Sequence, residues 1–176
     1  MIIVYIPHTC LVAQSFDPGC DYRSKIIGKV IANSIPKSKF ISSRTLRAIC
    51  DNNRSKCRDT PSRRRLRDHM KKDFTVLEIH TFGDKGVMWG INVPHKIIEV
   101  VILAARSNKG LGKLINTTLN KQGVKSKMLV GSPTINDVQL EVLERGGRGV
   151  LLEFDEDLSV DRAEFIGKIL SKIVKK

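Results

Sequence analysis

The chain has 176 residues, one domain's worth, of which 41% are hydrophobic and 28% charged, the balance of a folded globular protein rather than a disordered one. Thirty-one Lys and Arg against 18 Asp and Glu leave a net charge of +13, which makes polyanions plausible partners without saying anything about fold. The apolar opening Ile2–Ile6 is too short and too poorly led for a signal peptide, and Val100–Ala105 falls far below a membrane span of roughly 20 residues. Four cysteines (Cys10, Cys20, Cys50 and Cys57) then read as thiols in a cytoplasmic protein with no membrane association.

Taken in order, residues 2–6 form a short β-branched strand that Pro7 ends. A helix over 22–34 places Ile26, Ile27, Val30 and Ile31 at helical spacing, with Asp21 as its N-cap. Between Arg44 and Lys72 stand eleven Lys and Arg and three Asp, a net of +8, which reads as a long loop or an exposed helical excursion. Within it, Arg63 to Arg67 is expected to be solvated surface charge. A strand over 74–79 runs into His80, and a second apolar strand covers 97–103. A helix over 108–120 carries Leu111, Leu114, Ile115 and Leu119, followed by a short strand at 127–130. A helix over 135–143 closes at Gly146-Gly147, and a buried strand covers 150–154. The last helix, 160–174, groups Phe165, Ile166, Ile169, Leu170 and Ile173 on one face. Strands alternating with helices predict one three-layer α/β domain over residues 1–176, with a mostly parallel sheet covered on both faces.

Function in such sheets gathers at the carboxyl ends of the strands. His8 and His80 each follow an apolar strand and have a carboxylate nearby in the chain (Asp21 and Glu78). Imidazole and carboxylate are the usual ligands of catalytic zinc, though no HExxH or other compact metal motif is present, and Cys10 stays a candidate ligand beside His8. Asp51-Asn52-Asn53-Arg54 reads as an anion clamp, with Asp51 bracing a guanidinium fork that suits a carboxylate. Glu153, flanked by apolar residues, is costly in a buried strand unless paired or functional. Asp155-Glu156-Asp157 is expected to be solvated. The glycines near Gly110 and Gly146 match neither GxxxxGK[ST] nor GxGxxG.

These residues in order resemble the N-formylglutamate amidohydrolase family and, more distantly, the zinc carboxypeptidase-like hydrolases. Pro7-His8-Thr9-Cys10 stands where the family has a Pro-His-Ser-Gly-like turn. Arg44 and Asp51-Asn52-Asn53-Arg54 match an Arg ahead of Asp-Leu-Asn-Arg. Glu78-Ile79-His80-Thr81 matches Asp-x-His-Ser, and Leu151-Leu152-Glu153-Phe154 matches a late strand carrying Glu. The resemblance implies a phosphorylase/hydrolase-like form of that α/β fold and a zinc-dependent amidohydrolase that cleaves an N-formyl, N-acyl or peptide amide next to a carboxylate in a small acidic or peptide-like substrate. It implies zinc held by His8, His80 and Asp21, with Asp17 the alternative third ligand. Glu153 would be the general base, Arg44 the oxyanion stabiliser, and Asn53 with Arg54 the carboxylate binders. The alternative is a basic nucleic-acid-binding protein using residues 44–72, although that segment has no aromatic residue to stack on bases.

Overall fold

The computed structural model describes residues 1–8, 23–44, 51–82, 87–88, 91–92, 97–131 and 136–174. In chain order it contains β1 (Ile2–Ile6), α1 (Ser24–Ser34), β2 (Lys39–Ser42), a 3-10 turn, α2 (Pro61–His69), β3 (Thr75–Phe82), β4 (Val87–Met88) and β5 (Ile91–Asn92). It continues with β6 (Val100–Ala104), a second 3-10 turn, α3 (Lys109–Lys121), β7 (Ser126–Val130), α4 (Asp137–Glu144), β8 (Arg148–Asp155) and α5 (Val160–Val174). Six strands make one sheet in the order β2-β1-β3-β8-β6-β7, and β4 and β5 form a separate small hairpin. All neighbours in the large sheet are parallel except β6 and β8, so the expected three-layer α/β architecture with a mostly parallel sheet is the observed one.

Alternation along the strands divides two cores. Val4, Ile6, Leu77, Ile79, Ile102, Val150, Leu152 and Phe154 pack under α1, α3 and α5. Ile3, Tyr5, Ile41 and Val76 pack under Leu66 of α2, Met70 at its C-cap, and Val138 and Val142 of α4. Each such fully buried aliphatic side chain contributes about 1.5–3 kcal/mol relative to exposure. The helical stripes are narrower than the sequence suggests. Ile26, Leu114 and Phe165 are exposed, and the Phe165 ring instead lies 5.3 Å from the Arg162 guanidinium carbon, a cation–π distance.

Several expectations are corrected. The N-cap of α1 is Arg23, which makes no side-chain capping bond, whereas Asp21 lies outside the described residues. The 44–72 segment contains a capped helix: Thr60 accepts from the Arg63 backbone N–H, and Pro61 opens the first turn, the position where its missing N–H costs nothing. Arg63 is not surface charge but wholly buried, because α2 turns it inward with Leu66. Asp155 is likewise buried rather than solvated; its carboxylate accepts the Asp157 backbone N–H at 2.8 Å. Cys57 is buried and disulfide-bonded, whereas Cys10, Cys20 and Cys50 lie outside the described residues. That bond corrects the reading of Cys57 as a thiol. No helix among the described residues is long and apolar enough to cross a membrane.

Candidate active site

His8 follows β1, and His80 lies on the adjacent parallel strand β3. Both imidazoles are buried, and they meet edge to face with ring centroids 5.2 Å apart. Parallel neighbours bring their carboxyl ends to the same edge of the sheet, which is why residues 72 positions apart become neighbours here.

Each ring is held by a carboxylate. Nε2 of His8 lies 2.8 Å from Oδ1 of Asp51, which also accepts the Asn53 backbone N–H at 2.9 Å. Asp51 therefore braces an imidazole first; its expected guanidinium partner, Arg54, stands 3.7 Å away with its side chain 68% exposed. Nε2 of His80 lies 3.0 Å from Oε1 of Glu78. Glu78 is fully buried, and a bare carboxylate there would be costly. Two further donors offset that cost: Asn136 Nδ2 reaches Oε1 at 2.8 Å and Gln139 Nε2 reaches Oε2 at 2.7 Å. Asn136 is also the N-cap of α4, accepting the Gln139 N–H at 2.9 Å, so the positive end of the helix faces the carboxylate. Tyr5 pairs with Glu78 in the β1–β3 register, and burial pushes its hydroxyl well above the ordinary value of 10, which leaves it a neutral phenol.

Asn52 ties the loop together from inside. Its Nδ2 donates to the Pro7 carbonyl at 3.2 Å and to the Ser43 hydroxyl at 2.9 Å, while its Oδ1 accepts from Thr60 at 2.5 Å and Ser62 at 3.1 Å. Asn53 places Nδ2 3.5 Å from Nε2 of His80, and its buried Oδ1 has no hydrogen-bond partner among the described residues. Glu153 is half-buried and pairs directly with His80 in the β3–β8 register. Arg44 is exposed just beyond β2.

The structure thus gathers His8, His80, Asn53 and Glu153 at one end of the sheet, with Arg44 and Arg54 exposed on neighbouring segments. Asp21 and Asp17 lie outside the described residues. Among the described residues, no group of three or more His, Cys, Asp or Glu side chains is arranged to hold a metal ion. The sequence reading missed Asp51 as the partner of His8, and Asn136 and Gln139 as the partners of Glu78. The latter pair carried a signal, since Asn followed three residues later by Gln is a helix-start pattern.

No family model matches the chain, and no curated protein does. Solved structures do. A gene product from Agrobacterium tumefaciens is similar over 99% of this chain and 88% of its own, with a TM-score of 0.69 at 15% identity. An N-formylglutamate amidohydrolase from Ralstonia eutropha is similar over 98% of this chain and 90% of its own, with a TM-score of 0.60 at 10% identity. An N-acetylmuramoyl-L-alanine amidase of Nostoc punctiforme is similar over 99% and 95%, with a TM-score of 0.54 at 11% identity. At such identities the likeness is one of fold.

Proposed function

We propose that this protein is a zinc-dependent hydrolase of an amide bond next to a carboxylate, with a small acidic or peptide-like substrate. The observation that carries the reading is the His8–His80 pair, two buried imidazoles 5.2 Å apart, each held at Nε2 by a carboxylate. A carboxylate on one ring nitrogen fixes the tautomer and raises the basicity of a metal-ligating histidine. The donor set fits zinc as far as it is described: Nδ1 of His8 and Nδ1 of His80 would hold the ion. A third ligand would come from residues 9–22, where Asp21 is the first choice and Asp17 the second. The likeness of fold to two amide-cleaving enzymes supports the reaction class.

Zinc at this place would polarise the scissile carbonyl and lower the pKa of a bound water toward about 7. The chain's own residues do the rest. Glu153, beside His80 in the register, takes the proton of the attacking water and returns it to the leaving amine nitrogen. Asn53 offers an acceptor at Oδ1, which suits the substrate amide N–H. The substrate carboxylate then falls to Arg54, and the charge that develops on the carbonyl oxygen to Arg44.

The test pairs two measurements on the purified protein: zinc content, and hydrolysis of N-formyl and N-acyl amino acids and short acidic peptides. About one zinc per chain and turnover that chelation abolishes are expected. A protein that binds no zinc and cleaves none of these amides refutes the reading.

A further inference from the structure

Arg63 is the residue of the basic run that the fold takes completely inside. Its Nη1 donates to the Asn52 carbonyl at 2.6 Å, and its Nη2 to the Asp137 carbonyl at 3.4 Å and to the Glu141 carboxylate. Those two carbonyls belong to the two segments that hold the histidines. Asn52 is next in the chain to Asp51, the partner of His8. Asp137 is next to Asn136, which holds Glu78, which holds His80. The segments also touch each other, the Asp137 N–H donating to the Asn53 carbonyl at 3.2 Å.

Stability alone does not explain a guanidinium at this depth. Desolvating both ions of a buried pair can cost more than their attraction returns, and apolar replacements of similar volume are often as stable or more so. Nor does Glu141 depend on Arg63 for charge, because Arg67 and Arg145 stand 3.7 and 3.6 Å from its other oxygen. What only a rigid fork supplies is simultaneous donation to two carbonyls on separate segments.

We propose that Arg63 is the positioning residue of the two-histidine site. By clamping the Asn52 and Asp137 carbonyls it sets the distance between the Asp51 loop and the start of α4, and through them the tautomer and aim of His8 and His80. It touches neither imidazole and acts only through Asp51 and through Asn136 and Glu78. Its importance for binding a metal rests on the zinc reading above, whereas its hold on the two rings does not.

The test uses Arg63→Met and the double variant Arg63→Met/Glu141→Leu, which removes both ions. Proton–nitrogen correlation spectra of the imidazoles report the tautomers, thermal unfolding reports the fold, and titration with zinc ions reports affinity. In the wild type, His8 and His80 are each expected to carry the proton on Nε2, the nitrogen that faces a carboxylate. The double variant is expected to unfold cooperatively within a few degrees of the wild type, with both histidines in mixed tautomers. Its zinc affinity is expected to fall 10–100-fold, as for other lost supports of metal ligands. A folded variant with wild-type tautomers overturns the proposal. So does a double variant that fails to fold, because the guanidinium would then be holding the fold and not the site. Absence of zinc binding by the wild type sinks the zinc reading alone, and the tautomers still decide on Arg63.

Discussion

Glu153 stands directly across from His80 in the parallel pairing of β3 with β8, with Val101 of β6 on its other side. Both side chains leave the sheet on the face that α2 and α4 cover, because Val76 of the same parity packs there. On the proposed reading, this half-buried carboxylate one strand away from an imidazole is the general base. Glu153→Gln keeps the volume and some hydrogen bonding but cannot accept a proton. Turnover should fall 10²–10⁴-fold, about 3–5 kcal/mol at 1.36 kcal/mol per decade, with zinc content unchanged. Turnover and bound zinc measured on one preparation decide: persistence within a few-fold removes Glu153 as base, and loss of zinc makes it a ligand.

Asp51→Asn should act differently, through metal and not through proton transfer. The substitution keeps a hydrogen-bonding oxygen beside Nε2 of His8 but removes the charge that fixes the ring. Zinc affinity is expected to fall by about 10–100-fold. Turnover at saturating zinc should recover most of its wild-type value. A variant that holds zinc as tightly as the wild type would show that the Asp51 charge has no part in supporting His8.

The close approach of α4 to β8 rests on Gly149. A β-carbon there would overlap Oε1 of Gln139 and press on Cγ1 of Val142 at 3.1 Å. Gly149→Ala should therefore destabilise by about 1–3 kcal/mol, the usual range for overpacking, and push Gln139 off the Glu78 carboxylate. Denaturant unfolding gives the first quantity. A shift in the His80 imidazole spectrum checks the second, and an unchanged spectrum in a destabilised variant would separate the two effects.

Away from the site, Arg162 donates to both oxygens of Glu99, at 2.5 and 2.9 Å, and Lys125 adds a backbone N–H at 2.8 Å. The Arg162 hydrogen bonds hold the Glu99 carboxyl below its ordinary value near 4.5, against a smaller opposing effect of burial. With the folded value depressed, the unfolded chain takes up the proton first as pH falls. The pair's contribution is whole above about 4.5 and is lost as pH drops from there through the folded value. Glu99→Gln should lower stability at neutral pH and flatten the stability curve below pH 4.5. A slope equal to that of the wild type would contradict it.

Arg64 and Arg65 are exposed on α2, unlike Arg63 beside them. Changing both to Ser should leave amide hydrolysis within a few-fold of wild type and weaken any salt-sensitive association with nucleic acid. Loss of turnover would place α2's outer face in the site.

The apolar strands and the last helix were legible because burial dictates their composition: β1, β6 and the middle of β8 are rich in Val, Ile and Leu, and α5 spans the expected 160–174 with Ile166, Ile169, Leu170 and Ile173 inside, although Phe165 is exposed. Strand β2 escaped notice because it is a four-residue edge whose Lys39 and Phe40 face outward. Helix α2 was hidden by its charge, although Thr60-Pro61 marked its start, and Leu66 with Met70 at its C-cap marked its inner side. At the site, the two histidines could be picked out by position: His8 follows an apolar strand, and His80 follows the apolar run of β3, although the strand itself continues to Phe82. Their supporting groups could not. Asp51 is 43 residues from His8, and Gln139 is 61 from Glu78, and no local pattern encodes a partner at that range. Glu141 is 78 residues from Arg63, so nothing within the run itself distinguished the buried arginine from its exposed neighbours.

The direction of β8 has a consequence for how recognition can change. Because β8 runs parallel to β3 and antiparallel to β6, the start of β6 lies at the same edge as the end of β3: Val100 pairs with Phe154, and Thr81 does too. Phe82, where β3 ends, and Val100, where β6 begins, therefore sit at the edge of the sheet where the histidines lie. A segment tethered in this way can be lengthened, shortened or exchanged while every crossover helix stays where it is. Loop closure entropy penalises added length only slowly, about 0.6 kcal/mol per doubling. On the proposed reading, new substrate preferences can thus be built beside a fixed pair of imidazoles by rewriting one stretch of chain.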